Sequence, residues 1–221
     1  MTNPAPVPAR PLARRPWFVA TWIVGLGVLV AVAFVWLGLR NWGAVMALTG
    51  PRISVDVPGS YDKAIKKLTA ATDESDRFYA LGDGALWSVD AGKLEDAQRY
   101  ADELLALSGK FASNWNYGNA IHKGHSALGR VAIRRGDVAE GERQLALAAT
   151  SKGSPQMDSF GPNMSLPRDL LATGKPSAKT AVLAYLDYLP TFWTLDSGAI
   201  GVWRRDIEHD REPNFGAHLL F

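Results

Sequence analysis

The sequence predicts a mainly α-helical protein in which one N-terminal membrane-spanning helix carries a domain of stacked α–α hairpins. Three observations point there. Residues Trp17 to Leu39 contain no ionisable side chain. Beyond residue 60, apolar residues recur three and four apart, with almost no strand-like alternation. Two stretches, beginning at Leu81 and His125, align as helix–turn–helix units with Gly92 and Gly136 at matching places.

In chain order, residues 1–16 form a tail with five prolines and several arginines and too few apolar side chains for a core, so alone they are extended. Residues 17–39 follow as the span. As a helix these 23 residues reach about 34 Å, against a hydrocarbon core of roughly 30 Å. Trp17 and Trp22 at one end and Trp36 and Trp42 at the other sit where interfacial anchors belong. A cleaved signal peptide has a related pattern, but cutting at Ala31-Val32-Ala33 would expose Phe34, Val35, Trp36 and Leu37 at a new terminus. Arg10, Arg14 and Arg15 precede the span and only Arg40 and Arg52 follow closely, which predicts a cytoplasmic N-terminus and, in a bacterial inner membrane, a periplasmic domain.

Residues 40–59, with Pro51, Pro58 and Gly59, read as a linker to a domain over 60–221. Its first helix is predicted over 60–71, capped by Ser60, with Tyr61, Ala64, Ile65 and Leu68 on one side and Lys63, Lys66 and Lys67 in water. In each paired unit a glycine, Gly92 or Gly136, ends the first helix in a left-handed conformation that lacks a Cβ penalty, and an acidic, alanine-rich helix follows. Ala97 packs in the first unit; Leu128, Gly129, Ala132, Leu145 and Ala148 pack in the second. These positions, with Gly136-Asp137 and Pro155 beyond, make the second unit resemble the tetratricopeptide repeat, departing at Gly141, where that repeat prefers alanine. The glycines lie 44 residues apart, more than the usual 34, so the arrangement is tetratricopeptide-like and not a regular array. Such pairs bury their faces only against neighbours, and helices at 60–71 and 177–189 are the expected ends of the stack.

The text from Asn114 to Leu171, and the ending with Trp203, Ile207 and EPNFGAHLLF, is similar to a family of short, mostly bacterial tetratricopeptide-like proteins. That resemblance implies the fold and a bacterial setting and carries over no catalytic residue.

A cluster of Asn114, Asn116, Asn119, His122 and His125 is the densest set of polar groups. His122 and His125 are three apart and could share a helix face as metal ligands do, but no HExxH pattern accompanies them and no third ligand is fixed; hydrogen bonding to neighbouring helices is the plainer reading. The stretch 151–166 is a long loop pinned by Met157, Phe160 and Met164, its backbone satisfied by Asn114 and Asn116. Carboxylates at 73–76 and 95–96 fall at helix starts, where the dipole favours them. A last helix is read over 198–209, followed by an extended ending whose Trp203, Phe215 and Phe221 either cap the domain or contact a partner.

With 24 basic and 22 acidic residues, the net charge of +2 argues against a nucleic-acid surface. The absence of cysteine excludes disulfides, thiolate sites and cysteine nucleophiles. No G-x-S-x-G, phosphate loop, calcium loop or haem motif occurs, so no cofactor and no catalysis are expected. The expected function is a membrane-anchored accessory or scaffold subunit that meets a protein partner, within respiratory, photosynthetic, transport or envelope machinery. The alternative is a small metal- or ligand-binding domain or enzyme centred on Asn114–His125.

Overall fold

A computed structural model describes residues 32, 35–38, 40–53 and 57–220. Contacts divide the chain into two units, 1–40 and 41–221. In the first, the described residues are helical, Val32, Val35, Trp36 and Leu37 are half or more exposed, and the Arg40 guanidinium lies 5.2 Å from the Trp36 ring centre. The proline-rich tail and most of the expected span, with Trp17 and Trp22, lie outside the described residues. Among the described residues no helix is long and apolar enough to cross a membrane.

The second unit is helical, and no strand occurs among the described residues. Its first helix, α1 (Trp42–Thr49), occupies part of the stretch that reads as a linker in sequence. It docks on the last helix of the unit, burying Ala47, and Ala44 N–H donates to Ser197 O at 2.9 Å. Gly43 permits that approach: a Cβ there would fall 2.1 Å from Asp196 O.

Helix α2 (Ser60–Thr69) buries Ala64 and Leu68 and leaves its three lysines exposed. Ser60 is its first helical residue and not its cap. Gly59 holds the cap position at φ 79°, a region open to glycine, and no side chain caps the end. Helix α3 (Glu74–Asp90) starts on Asp73, whose carboxylate accepts from Asp76 N–H at 2.8 Å. Gly92 at φ 70° turns the chain into α4 (Leu94–Ser108), where Ala97 is fully buried. Helix α5 (Tyr117–Arg134) ends at Gly136, φ 89°, and α6 (Val138–Ala148) begins on Asp137, which accepts from Glu140 N–H. Each of α2 to α5 packs on its successor, and α3 also meets α5.

The expected loop at 151–166 instead holds the short helix α7 (Pro155–Phe160), capped by Ser154, and leads into α8 (Ser165–Ala172). Met157 and Met164 pin this stretch as expected, at 3% and 0% exposure, but Phe160 is 64% exposed and pins nothing. Helix α9 (Pro176–Tyr188) packs on α6 and α8, and α10 (Ala199–Glu208) packs on α9 and α1. The ending is a coil closed by a 3-10 turn, Gly216–Leu219.

Two buried cores result. One lies among α2 to α5 and contains Phe78, Leu81, Leu104, Ala127 and Val131. The other lies among α6 and α8 to α10 and contains Leu145, Leu166, Leu186, Trp203 and Phe215. Helix α5 separates them. At 100° per residue, its Ala120, Ala127 and Val131 form one face, and Asn119, His122, Ser126 and Arg130 form a neighbouring buried polar one.

Candidate functional site

The buried polar face of α5 is the chemical feature that stands out of this otherwise apolar interior. At its C-terminal end, Arg130 has no exposed side-chain surface. Its Nε donates to Asp169 Oδ2 at 2.9 Å, and its two terminal nitrogens donate to the two oxygens of Asp90, at 3.2 and 2.5 Å. Arg168 and Arg134 also reach Asp169. Burial works against the Asp169 carboxylate, but Arg130 and Arg168 outweigh it and hold its pKa below the ordinary range. For Arg130 burial likewise favours the neutral form, and Asp169 and Asp90 reverse it, so the guanidinium stays charged. Three helices, α3, α5 and α8, thus meet at one fully paired ion cluster.

About two turns back, the His122 ring is buried and shares a 2.7 Å hydrogen bond between Nε2 and Tyr185 Oη of α9. Burial drives its pKa to about 3, with Lys123 and His125 adding to the shift, so the imidazole is neutral at physiological pH. Burial raises that of Tyr185, which stays a phenol. His125 points elsewhere: its Nδ1–H donates to Gln144 Oε1 of α6 at 2.7 Å. The two histidines share a helix but not a ligand. Among the described residues no group of three or more His, Asp or Glu is placed to hold a metal ion.

The asparagines serve as clamps. Asn114 exchanges hydrogen bonds with Tyr79 and accepts from Asn116 N–H. Asn119 Nδ2 donates to Asn116 and Gln156, and its Oδ1 accepts from Ser154 Oγ at 2.8 Å. It is therefore Asn119, and not Asn114 or Asn116, that ties down the 151–166 stretch, through side chains and not backbone. Ser151 Oγ adds a bond to Gly118 O. Backbones touch here: a Cβ on Gly118 would sit 1.7 Å from Gly153 O.

Leu145 and Ala148 are 1% exposed, Ala132 is 9% exposed, and Leu128 packs on the first core. Gly129 lies against Leu166 and Gln144, where a Cβ would be 2.7 Å from Leu166. Gly141, the departure from the repeat pattern, has a physical cause in Ile133, whose Cγ1 stands 2.7 Å from where a Cβ would be. Trp203 and Phe215, expected either as cap or as partner contacts, are cap: both are buried, their rings meet edge-on at 5.1 Å, and Trp203 Nε1 donates to Asn214 O. Buried as they are, neither is available to a partner. Phe221 lies outside the described residues.

Among the described residues, several hollows are open to the surface. One of about 190 Å³ lies along α2, α3 and α5, lined by Lys67, Tyr79, Asp83, Trp115, Asn116 and Lys123 among others. Here Lys123 donates to Asp83 at 2.6 Å, and Trp115 is 56% exposed, its ring tilted against Tyr79 with centres 5.9 Å apart. Burial would raise the Asp83 pKa, but Lys123, helped by Lys67 and Lys63, holds it low. A second, of about 680 Å³, lies between α8, α9 and residues 207–213, and its Lys179 and Arg211 are already paired with Asp210 and Asp206. A third, of about 340 Å³, is aromatic and borders α1.

Sequence reasoning missed the Arg130 cluster. The signal was available in the recurrence of polar residues at 119, 122, 126 and 130, the three-and-four spacing of one helix face. No family model, no curated protein and no solved structure matches the chain.

Proposed function

We propose that the protein is a single-pass, membrane-anchored accessory subunit without catalytic activity, whose tetratricopeptide-like stack of helical hairpins binds a protein partner. On this reading residues 17–39 span a bacterial inner membrane, the N-terminus is cytoplasmic, and the helical unit faces the periplasm. The partner belongs to a larger membrane complex, in which anchoring raises the local concentration of the stack. The observation that carries the reading is the hollow along α2, α3 and α5, where the open Trp115 ring is surrounded by Lys67, Asn116 and the Lys123–Asp83 pair. An exposed aromatic within a polar rim is the usual composition of an interface anchor. The imidazoles and amides of the Asn114–His125 segment are engaged with one another and with neighbouring helices, which favours positioning over chemistry.

The test is affinity capture of the intact chain from mild detergent, comparing wild type with Trp115→Ala and Lys67→Glu. The reading expects a stoichiometric partner that both substitutions weaken by at least about tenfold, the effect of 1.4 kcal/mol. A partner set indifferent to both, or none at all, would contradict it.

A further inference from the structure

Helix α1 has the sequence WGAVMALT, with no charged side chain, yet only Ala47 is buried. Trp42 is 59% exposed, and Val45, Met46 and Leu48 are exposed as well. A helix that is apolar on every side belongs in a protein interior or in lipid, and not in water. Two residues distant in sequence extend the same surface. Phe160, at the end of α7, and Leu195 are 64% and 60% exposed, and with Trp42 and Met46 they line the hollow of about 340 Å³ whose wall includes the buried Trp193 and Trp203. The carboxylate of Asp196, also on this hollow, is occupied by the N–H groups of Gly198 and Ile200.

The chain names the occupant. On the anchored reading, which this inference rests on, the span ends at Leu39, and only Arg40 and Asn41 stand between it and Trp42. Three Cα steps cover at most about 11 Å. The headgroup region on one side of a bilayer is roughly 5–8 Å deep. Trp42 therefore stays in or at the edge of that layer, where tryptophan is favoured, and the surface it shares with Met46, Phe160 and Leu195 is carried there with it. We infer that this face rests in the lipid headgroup layer, so that the helical unit lies against the bilayer instead of hanging from it on a tether. The hollow then opens toward acyl chains, its aromatic wall replacing water contacts with lipid ones.

The chain has no cysteine, so Phe160→Cys and Leu195→Cys each create a single labelling position, with Glu95→Cys, whose side chain is 88% exposed, as the aqueous control. All three sites are exposed, which leaves the packing intact. The intact chain, labelled with a polarity-sensitive fluorophore, is reconstituted into phosphatidylcholine–phosphatidylglycerol vesicles with and without brominated lipid. The labels at 160 and 195 should be quenched several-fold more by brominated lipid, and several-fold less by iodide, than the label at 95. If the chain floats with the vesicles while all three labels behave alike, the inference is overturned and the anchored reading stands. Protection from iodide that lacks lipid quenching and grows with protein density assigns the face to a second copy, which also overturns it. A chain that does not float with the vesicles defeats both.

Discussion

Replacing Arg130 with methionine isolates the ion cluster that joins α3, α5 and α8. Methionine keeps the length and apolar bulk of the side chain but leaves Asp90 and Asp169, 16% and 7% exposed, without the guanidinium that pairs them. Breaking a buried pair by removing one partner costs about 3–5 kcal/mol, because a desolvated charge is left behind. That is a large share of the 5–15 kcal/mol typical of a domain. The pH dependence carries the sharper signature. In the wild type the Asp169 pKa is depressed, so its contribution is present above the unfolded value of about 3.9 and is lost as pH falls through the lower folded value. In the variant, Asp169 keeps Arg168 and Arg134 but loses Arg130, the foremost charge holding its pKa down, so its folded pKa moves up from the wild-type position and the wild-type advantage grows as pH rises through that window. The stability gap between the two proteins should be smallest in acid, widen as pH rises through the carboxylate range toward about 3.9 and level off above it, and histidine effects cancel in the difference. Urea titration of the intact chain in mild detergent, followed by far-UV circular dichroism, measures it. Adding Asp90→Leu and Asp169→Leu to Arg130→Met should recover most of the loss. A gap below about 1 kcal/mol, the scale of a surface pair, or one independent of pH would refute the reasoning.

His122, with its pKa lowered to about 3, binds a proton in the unfolded chain that the folded one rejects, so stability is full above about pH 6.5 and falls below it, by up to about 1.4 kcal/mol per pH unit. The His122→Gln variant, which keeps a polar partner for Tyr185, should remove that part of the slope in the same urea assay, and an unchanged slope would reassign it. Gly118→Ala should cost about 1–3 kcal/mol by forcing the 151–154 backbone away, read as a lower thermal midpoint with loss of amide protection at Ser151 and Gly153. Phe215→Ala should cost about 3–5 kcal/mol, whereas Phe160→Ala should stay within about 0.5 kcal/mol of wild type. Equal effects would undo the distinction between cap and open face.

The hairpins were legible in the sequence because two glycines punctuate them and both adopt the positive φ that a helix end asks of glycine. The helices at 60 and 177 were found within a residue or two, since amphipathic spacing is a local signal. Helix α1 was not, because an uncharged helix following an uncharged run has no polar face to set its period, and its docking depends on α10, distant in the chain. Phe160 and Phe215 are alike in sequence, each an aromatic beside a glycine, and only long-range packing decides that one is open and the other enclosed. Arg130 escaped for the opposite reason. An arginine in a helix reads as solvated until two carboxylates, about 40 residues away on either side, are found to converge on it. The asparagines and histidines were recognised as a cluster, but their partners, Tyr79, Gln144, Ser154 and Tyr185, come from four other segments that no local pattern connects.

The anchored hairpin stack is tested most directly by washing native membranes with alkaline carbonate and measuring the intact mass of the polypeptide that stays. The account predicts a membrane-retained chain that still carries residues 1–39. A polypeptide recovered from the aqueous fraction, trimmed of its first thirty or so residues (the length of a cleaved secretory leader), would contradict it.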